Sequence, residues 1–223
     1  VPLELPGPRS RALAERLRAV ECRTVTRLDP EGPIFWAVAA GGRVRDADGN
    51  EYIDLTGGFG VAAAGHAHPA VAEAIAAQAR VLAHGLGDVH PAESKVALLE
   101  RLAELTPGDL GVSILGSAGA EAVEIALKTA LLATGRPGVV AFEGSYHGLT
   151  YGALALTGRS EFRDPFAEHL YGGVRFVPFP RAQEDPAIAL AAVAAAVDAA
   201  EGGPEPIGAI IVEPVQGRGG LVD

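Results

Sequence analysis

The sequence predicts an α/β fold: a large domain with a mostly parallel sheet over residues 60–223, preceded by a small subdomain over residues 1–59 that joins an N-terminal helix to antiparallel strands. Three observations carry this reading. Downstream of Val112, apolar runs of strand length alternate with helix-length segments, the pattern of parallel strands joined by crossover helices. Upstream of Phe59, short runs are separated by Gly41-Gly42 and by Asp46-Ala47-Asp48-Gly49-Asn50, both hairpin turn signals. At the centre, VSILGSAGAEAVEIALKTA (112–130) passes from an apolar run through small residues into a helical pattern.

Taken in order, the chain opens with a Pro-rich lead and a helix over 10–20, with Ser10 as its cap and Leu13, Leu17 and Val20 on one face. Residues 34–38, 43–45 and 52–55 read as short strands. Pro69 stands in the first turn of a helix that aligns Val71, Ile75 and Leu82, and a second helix begins near Pro91 and carries Val96, Leu99 and Leu102. A strand at 112–115 then leads into a helix with Ala122, Val123, Ile125, Ala126 and Leu127 on its apolar positions. After it come a strand at 139–142, a helical piece near Tyr151, a strand at 174–177, a helix at 186–200 and a strand at 207–212. No segment repeats, and no low-complexity linker divides the chain.

Composition narrows the function classes. Apolar residues make up 48% and charged residues 21%, which gives an ordered globular chain with a substantial core. A formal charge of -10 argues against nucleic acid or an anionic membrane as the main partner, because both require a basic face. Cys22 is the only cysteine, so no intramolecular disulfide can form, and VPLELPGPRS lacks the layout of a signal peptide; both features point to the cytoplasm. The longest apolar stretch, 187–200, is mostly alanine and is broken by Asp198, so it reads as a packed helix and not a membrane span.

Parallel sheets bind ligands at the carboxyl ends of their strands, and three segments occupy that edge. The first is the turn Gly116-Ser117-Ala118-Gly119-Ala120, where a helix N-terminus presents unpaired N–H groups and small residues let a phosphate approach. An ordinary βα turn with water in place of the anion fits the same residues, and the stretch alone leaves both open. It is neither a P-loop nor a dinucleotide GxGxxG turn. The second segment is Ser145-Tyr146-His147-Gly148, where an aromatic ring can lie against a heterocycle and an imidazole can handle a proton; packed or backbone-satisfied side chains are the bland alternative. The third begins at Glu213, whose carboxylate ends a very apolar strand and faces either a ligand or the solvent edge. His66 and His68 lack a third ligand at metal spacing and read as turn histidines, so no metal site is expected. His84, His90 and His169 have no supporting pattern, and Cys22 has no matched base for nucleophilic catalysis.

Four stretches in this order and spacing resemble the class III, or omega, aminotransferases that use pyridoxal 5'-phosphate (PLP): DADGNEYIDLTGGFGVAAAGHAHPAVAEAIAAQ, SAGAEAVEIALK, VVAFEGSYHGLTYGALALTG and IIVEPVQGRGG. The 4-aminobutyrate and ornithine aminotransferases belong to that family, and the likeness covers the chain from about Pro33 onward. It implies the PLP-dependent transferase fold type I and a homodimer. By this resemblance Ala118, Gly119 and Ala120 hold the cofactor phosphate, Tyr146 stacks on the pyridine ring, His147 and Gly148 complete that loop, and Glu213 stands near the cofactor's hydroxyl side. Phe59 falls where the family lines its substrate pocket. The implied reaction moves an amino group, in this family often a terminal one, between an amine or amino acid and a 2-oxo acid.

The sequence also departs from the family. The Schiff-base lysine and the aspartate that pairs with the pyridinium nitrogen lie C-terminal to EPVQG in the family, so both are expected beyond Asp223, and this stretch alone should not transaminate. Its two lysines, Lys95 and Lys128, sit in helices outside the family's lysine context. Leu149 replaces an arginine of the 4-aminobutyrate enzymes, and Arg218 replaces a glutamate. Those exchanges alter the charges that meet the substrate, so 4-aminobutyrate is not carried over, and Arg218 becomes a candidate ligand for a substrate carboxylate or else a surface arginine. Within the cofactor class, racemases, epimerases and decarboxylases share the scaffold; outside catalysis, a truncated PLP-binding homologue is the alternative.

Overall fold

The computed structural model describes residues 5–220 except 24, 27, 29–31, 182, 183 and 219. The first four residues of the Pro-rich lead therefore lie outside the described residues. The chain forms two compact units, Val1–Ala97 and Leu98–Asp223, so the sequence boundary after Phe59 falls inside the first.

In the first unit, helix α1 spans Pro8–Val20 and starts two residues before Ser10, with Gly7 at its N-cap position and Pro8 in its first turn. Ser10 is not the cap. The carboxylate of Asp48, in the turn between two strands, accepts from Arg9 N at 2.7 Å, Ser10 N at 2.9 Å and Ser10 Oγ at 2.6 Å. An anion at the positive end of the helix meets the orphan amides directly, which displaces the local serine from that role. Strands β1 (Trp36–Ala40), β2 (Arg43–Asp46) and β3 (Glu51–Ile53) make an antiparallel sheet in that order. Asp46 fastens the second hairpin by accepting from Tyr52 Oη at 2.6 Å and from the Asn50 and Asp48 amides at 2.8 and 2.9 Å. Burial opposes its ionisation, but these bonds, led by that of Tyr52, prevail and hold its carboxyl at about 2. Helix α2 (Pro69–Val81) begins at Pro69 as the sequence indicates. Helix α3 (Glu93–Leu105) spans the boundary between the units.

The second unit is a parallel sheet of β4 (Gly138–Phe142), β5 (Val174–Val177) and β6 (Ile207–Ile210) in the order β5-β4-β6. Central β4 is buried along its whole length, as expected for a strand paired on both edges and covered on both faces. Its side chains alternate between two cores. Val139 and Ala141 pack with Leu156, Val123 and Leu127, on the side of helices α4 (Gly119–Thr134) and α5 (Tyr151–Leu156). Val140 and Phe142 pack with Val177, Ile207 and Ala200 against helix α7 (Pro186–Ala200). The short helix α6 (Ser160–Arg163) and a 3-10 turn (Asp164–His169) connect α5 to β5.

The strand expected at 112–115 is absent: these residues form no regular element and have no ladder partner among the described residues. An apolar run becomes a strand only where a neighbour offers its amides, and β4 already has β5 and β6 on its two edges. Val112 and Ile114 remain 96% and 67% exposed. No described helix is long and apolar enough to cross a membrane.

Candidate functional site

The site is built where three loops of the second unit meet. Helix α4 opens after Ala118, whose backbone is extended and which supplies no side-chain cap. The first intrahelical bond runs from Ala122 N to Ala118 O at 3.0 Å, so the amides of Gly119 and Ala120 have no partner within the helix. Glu121 turns back to accept from Ser117 N and leaves those two donors without a partner among the described residues. That bond keeps the Glu121 carboxyl below its ordinary range.

The loop after β4 is brought onto this helix end by Gly148. Its φ is 131°, and a Cβ there would stand 2.6 Å from Ala120 Cβ, so no other residue permits the approach. Two buried hydroxyls close the loop: Ser145 Oγ donates to Phe142 O at 2.7 Å, and Thr157 Oγ1 accepts from His147 N at 3.1 Å. Glu124, one turn along α4, accepts from Thr150 Oγ1 at 2.6 Å and Gly152 N at 2.8 Å, tying the start of α5 to the same helix.

Glu213 has both of its oxygens engaged by main chain. Oε2 accepts from Tyr146 N at 2.8 Å and Oε1 from Gly217 N at 2.9 Å, so one carboxylate fastens the loop after β4 to the loop after β6. Gln216 adds a second tie, donating from Nε2 to Glu143 O at 2.8 Å. The Tyr146 ring meets Phe162 edge-on at 5.5 Å and carries the Arg218 guanidinium over its face at 4.7 Å. Arg159 Nη1 holds the Arg218 carbonyl at 2.6 Å, and the exposed Arg218 guanidinium lies over the aromatic pair. The Nε2 of His147 is buried without a hydrogen-bond partner among the described residues. Burial pushes that imidazole below its ordinary value, with Glu213 opposing in part.

Ala118, Gly119, Ala120, Tyr146, His147, Glu213 and Arg218 thus come together, whereas Phe59 belongs to the first unit. No local pattern marks Thr157, Glu124 or Arg159, whose partners lie 10, 26 and 59 residues away.

A family model for class III aminotransferases matches residues 26–223. The chain belongs to that family. It is 38% identical, over 98% of its length, to a 4-aminobutyrate aminotransferase of Mycobacterium bovis, and 44% identical, over 82%, to an acetylornithine aminotransferase of Streptomyces coelicolor. These alignments cover 50% and 41% of the two relatives. Among solved structures it superposes on a thermostable (S)-enantioselective omega-transaminase from Thermomicrobium roseum with a TM-score of 0.85 at 28% identity, covering 96% of this chain and 51% of that one. This class III chain therefore has the fold of the type I PLP-dependent enzymes and spans about half the length of the curated relatives it matches.

Members of the family are pyridoxal phosphate enzymes, and the residues here fit that group. Two open amides at the start of a 16-residue helix suit a phosphate, a glycine brings the aromatic loop against them, and a buried imidazole nitrogen awaits a polar partner. Among the described residues no cluster of three or more His, Cys, Asp or Glu is placed to hold a metal.

Proposed function

We propose that the natural protein is a PLP-dependent aminotransferase of class III that moves an amino group, a terminal one, between an amine or amino acid and a 2-oxo acid. The observation that carries this reading is the contact of Gly148 with Ala120, which joins a phosphate-type helix N-terminus to the Tyr146-His147 loop. When bound, the cofactor supplies an electron sink for the carbon that carries the amine. The chain's own residues do the rest of what this stretch contributes. The amides of Gly119 and Ala120 would hold the phosphate, and the Tyr146 ring would offer its face to the pyridine ring. The unpartnered Nε2 of His147 would hydrogen-bond a polar group of the cofactor, and Glu213 keeps the two loops in register. Arg218, held over Tyr146, offers a guanidinium to a substrate carboxylate.

The family's proton-moving lysine has no counterpart among these residues. Lys95 Nζ donates to Gly87 O at 2.6 Å, and Lys128 lies about 12 Å along α4 from Ala120 at the helical rise. Residues outside this stretch therefore complete the chemistry. We further assign the protein to the cytoplasm and to a homodimer, on its acidic charge, its single cysteine and its family. The test is transfer of amino nitrogen from a primary amine to 2-oxoglutarate by the natural protein with PLP. Glutamate should form in step with loss of the amine. Racemisation or decarboxylation of an amino acid without glutamate formation would contradict the proposal.

A further inference from the structure

Helix α5 is capped from another helix. Its N-cap residue, Thr150, is of a kind that caps a helix with its own hydroxyl, yet no such bond forms. Thr150 Oγ1 donates instead to Glu124 Oε1 at 2.6 Å, and that same oxygen accepts from Gly152 N at 2.8 Å and Ala153 N at 3.2 Å, the amides a local cap would have taken. A carboxylate is favoured at the positive end of a helix. Gly152 makes room for it, since a Cβ there would overlap the Glu124 carboxylate. Among the described residues, the hydrogen bonds that join α4 to α5 or to the loop after β4 all end on Glu124.

The far end of α5 holds the aromatic loop. Thr157, its C-cap, accepts from His147 N at 3.1 Å and donates to Gly148 O at 3.1 Å. Ala153, Leu154, Ala155 and Leu156 between the two ends are all buried, so this short helix is clamped in the core and acts as a strut. Glu124 lies about 6 Å along α4 from Ala120 at the helical rise. The helix that offers its open amides thus also fixes, through α5, where the loop stands. The approach of Gly148 to Ala120 is itself held by no hydrogen bond among the described residues, so the strut supplies the polar anchor that this contact lacks.

We propose that Glu124 is a positioning residue for the cofactor ring: through α5 and Thr157 it sets Tyr146 and His147 at a fixed distance from the amides of Gly119 and Ala120. The proposal rests on the aminotransferase reading above. Glu124 does not touch the cofactor, and the two open amides do not depend on its side chain.

The experiment uses two probes, each titrated into the natural protein freed of cofactor. Pyridoxamine phosphate carries both ring and phosphate and forms no Schiff base; inorganic phosphate reads the amides alone. Glu124→Ala should weaken pyridoxamine phosphate about tenfold and leave inorganic phosphate within about twofold, because the loop is no longer held in its binding position while the amides stay open. Glu124→Gln keeps an acceptor in the same place and should recover most of the loss. Thr150→Val keeps the shape of its side chain but loses one donor; it should cost about threefold, and nothing further in the Glu124→Ala background. Unchanged affinity for pyridoxamine phosphate in Glu124→Ala overturns the proposal. So does an equal loss for both probes, the mark of a merely structural role, or a Glu124→Gln protein as weak as Glu124→Ala. If Glu124→Ala does not fold, Thr150→Val decides by the same comparison of probes. If the wild-type protein binds pyridoxamine phosphate no more tightly than inorganic phosphate, the cofactor reading falls and takes this proposal with it.

Discussion

Gly148→Ala tests the joint between the helix end and the aromatic loop. The added methyl would meet Ala120 Cβ at 2.6 Å, Ala120 Cα at 3.1 Å and Ala153 Cβ at 3.1 Å, in a backbone with φ of 131°. The strained backbone costs about 1–3 kcal/mol and the overpacking about 1–3 kcal/mol more, so a loss of roughly 2–6 kcal/mol is expected. The two parts separate by a second change. Ala120→Gly removes the nearest atom and by itself costs up to about 1 kcal/mol of helix propensity. Combined with Gly148→Ala it should instead recover about 1–2 kcal/mol, because the clash is relieved while the backbone strain remains. Urea unfolding followed by circular dichroism measures all four proteins, and PLP titration reports whether the cradle moves with the loop. Additive losses in the double variant would refute the contact and with it the argument that Gly148 sets the loop against the phosphate turn.

Other outcomes follow from the same geometry. Burial lowers the His147 imidazole below its ordinary 6.5, so the unfolded chain takes up a proton that the folded chain refuses. Stability from this source is complete above about 6.5 and declines as pH falls from there toward the lower folded value. His147→Gln should flatten that part of a pH–stability profile, and a profile unchanged by the substitution would remove His147 as its source. Tyr146→Ala should weaken PLP binding by about 1 kcal/mol or more while leaving the loop in place, because Glu213 holds Tyr146 by its backbone amide and not by its ring. Equal affinity in that variant would place the ring elsewhere.

The elements that the sequence disclosed are those fixed by local pattern. The alternation of β4 between two cores, Pro69 at the start of α2 and the small residues before α4 are each visible in a short window. Contacts chosen at long range were not. Asp48 displaces Ser10 as the cap of α1 from 38 residues away, and nothing near Ser10 announces it. Residues 112–115 have the composition of a strand but no described neighbour to pair with, and composition does not supply one. His66 reads as a turn histidine until Asp54, 12 residues earlier, is seen beside it. The Asp-Leu-Thr-Gly-Gly sequence after β3 does hint at a side-chain-capped turn with positive φ, but not at which histidine closes it. At the site itself the family motifs fall on the three loops that the fold brings together. The tie from Glu213 to the Tyr146 and Gly217 amides emerged only from the fold.

The most direct test of the central claim is the phosphorus-31 resonance of PLP titrated with the natural protein and with its Ala120→Pro variant. Proline removes one of the two open amides and distorts the turn, and the helix tolerates it best in its first turn. A single saturable site with a shifted phosphate resonance, lost or much weakened in Ala120→Pro, is the expected result. Undiminished binding in the variant would contradict the claim that the start of α4 holds the cofactor phosphate.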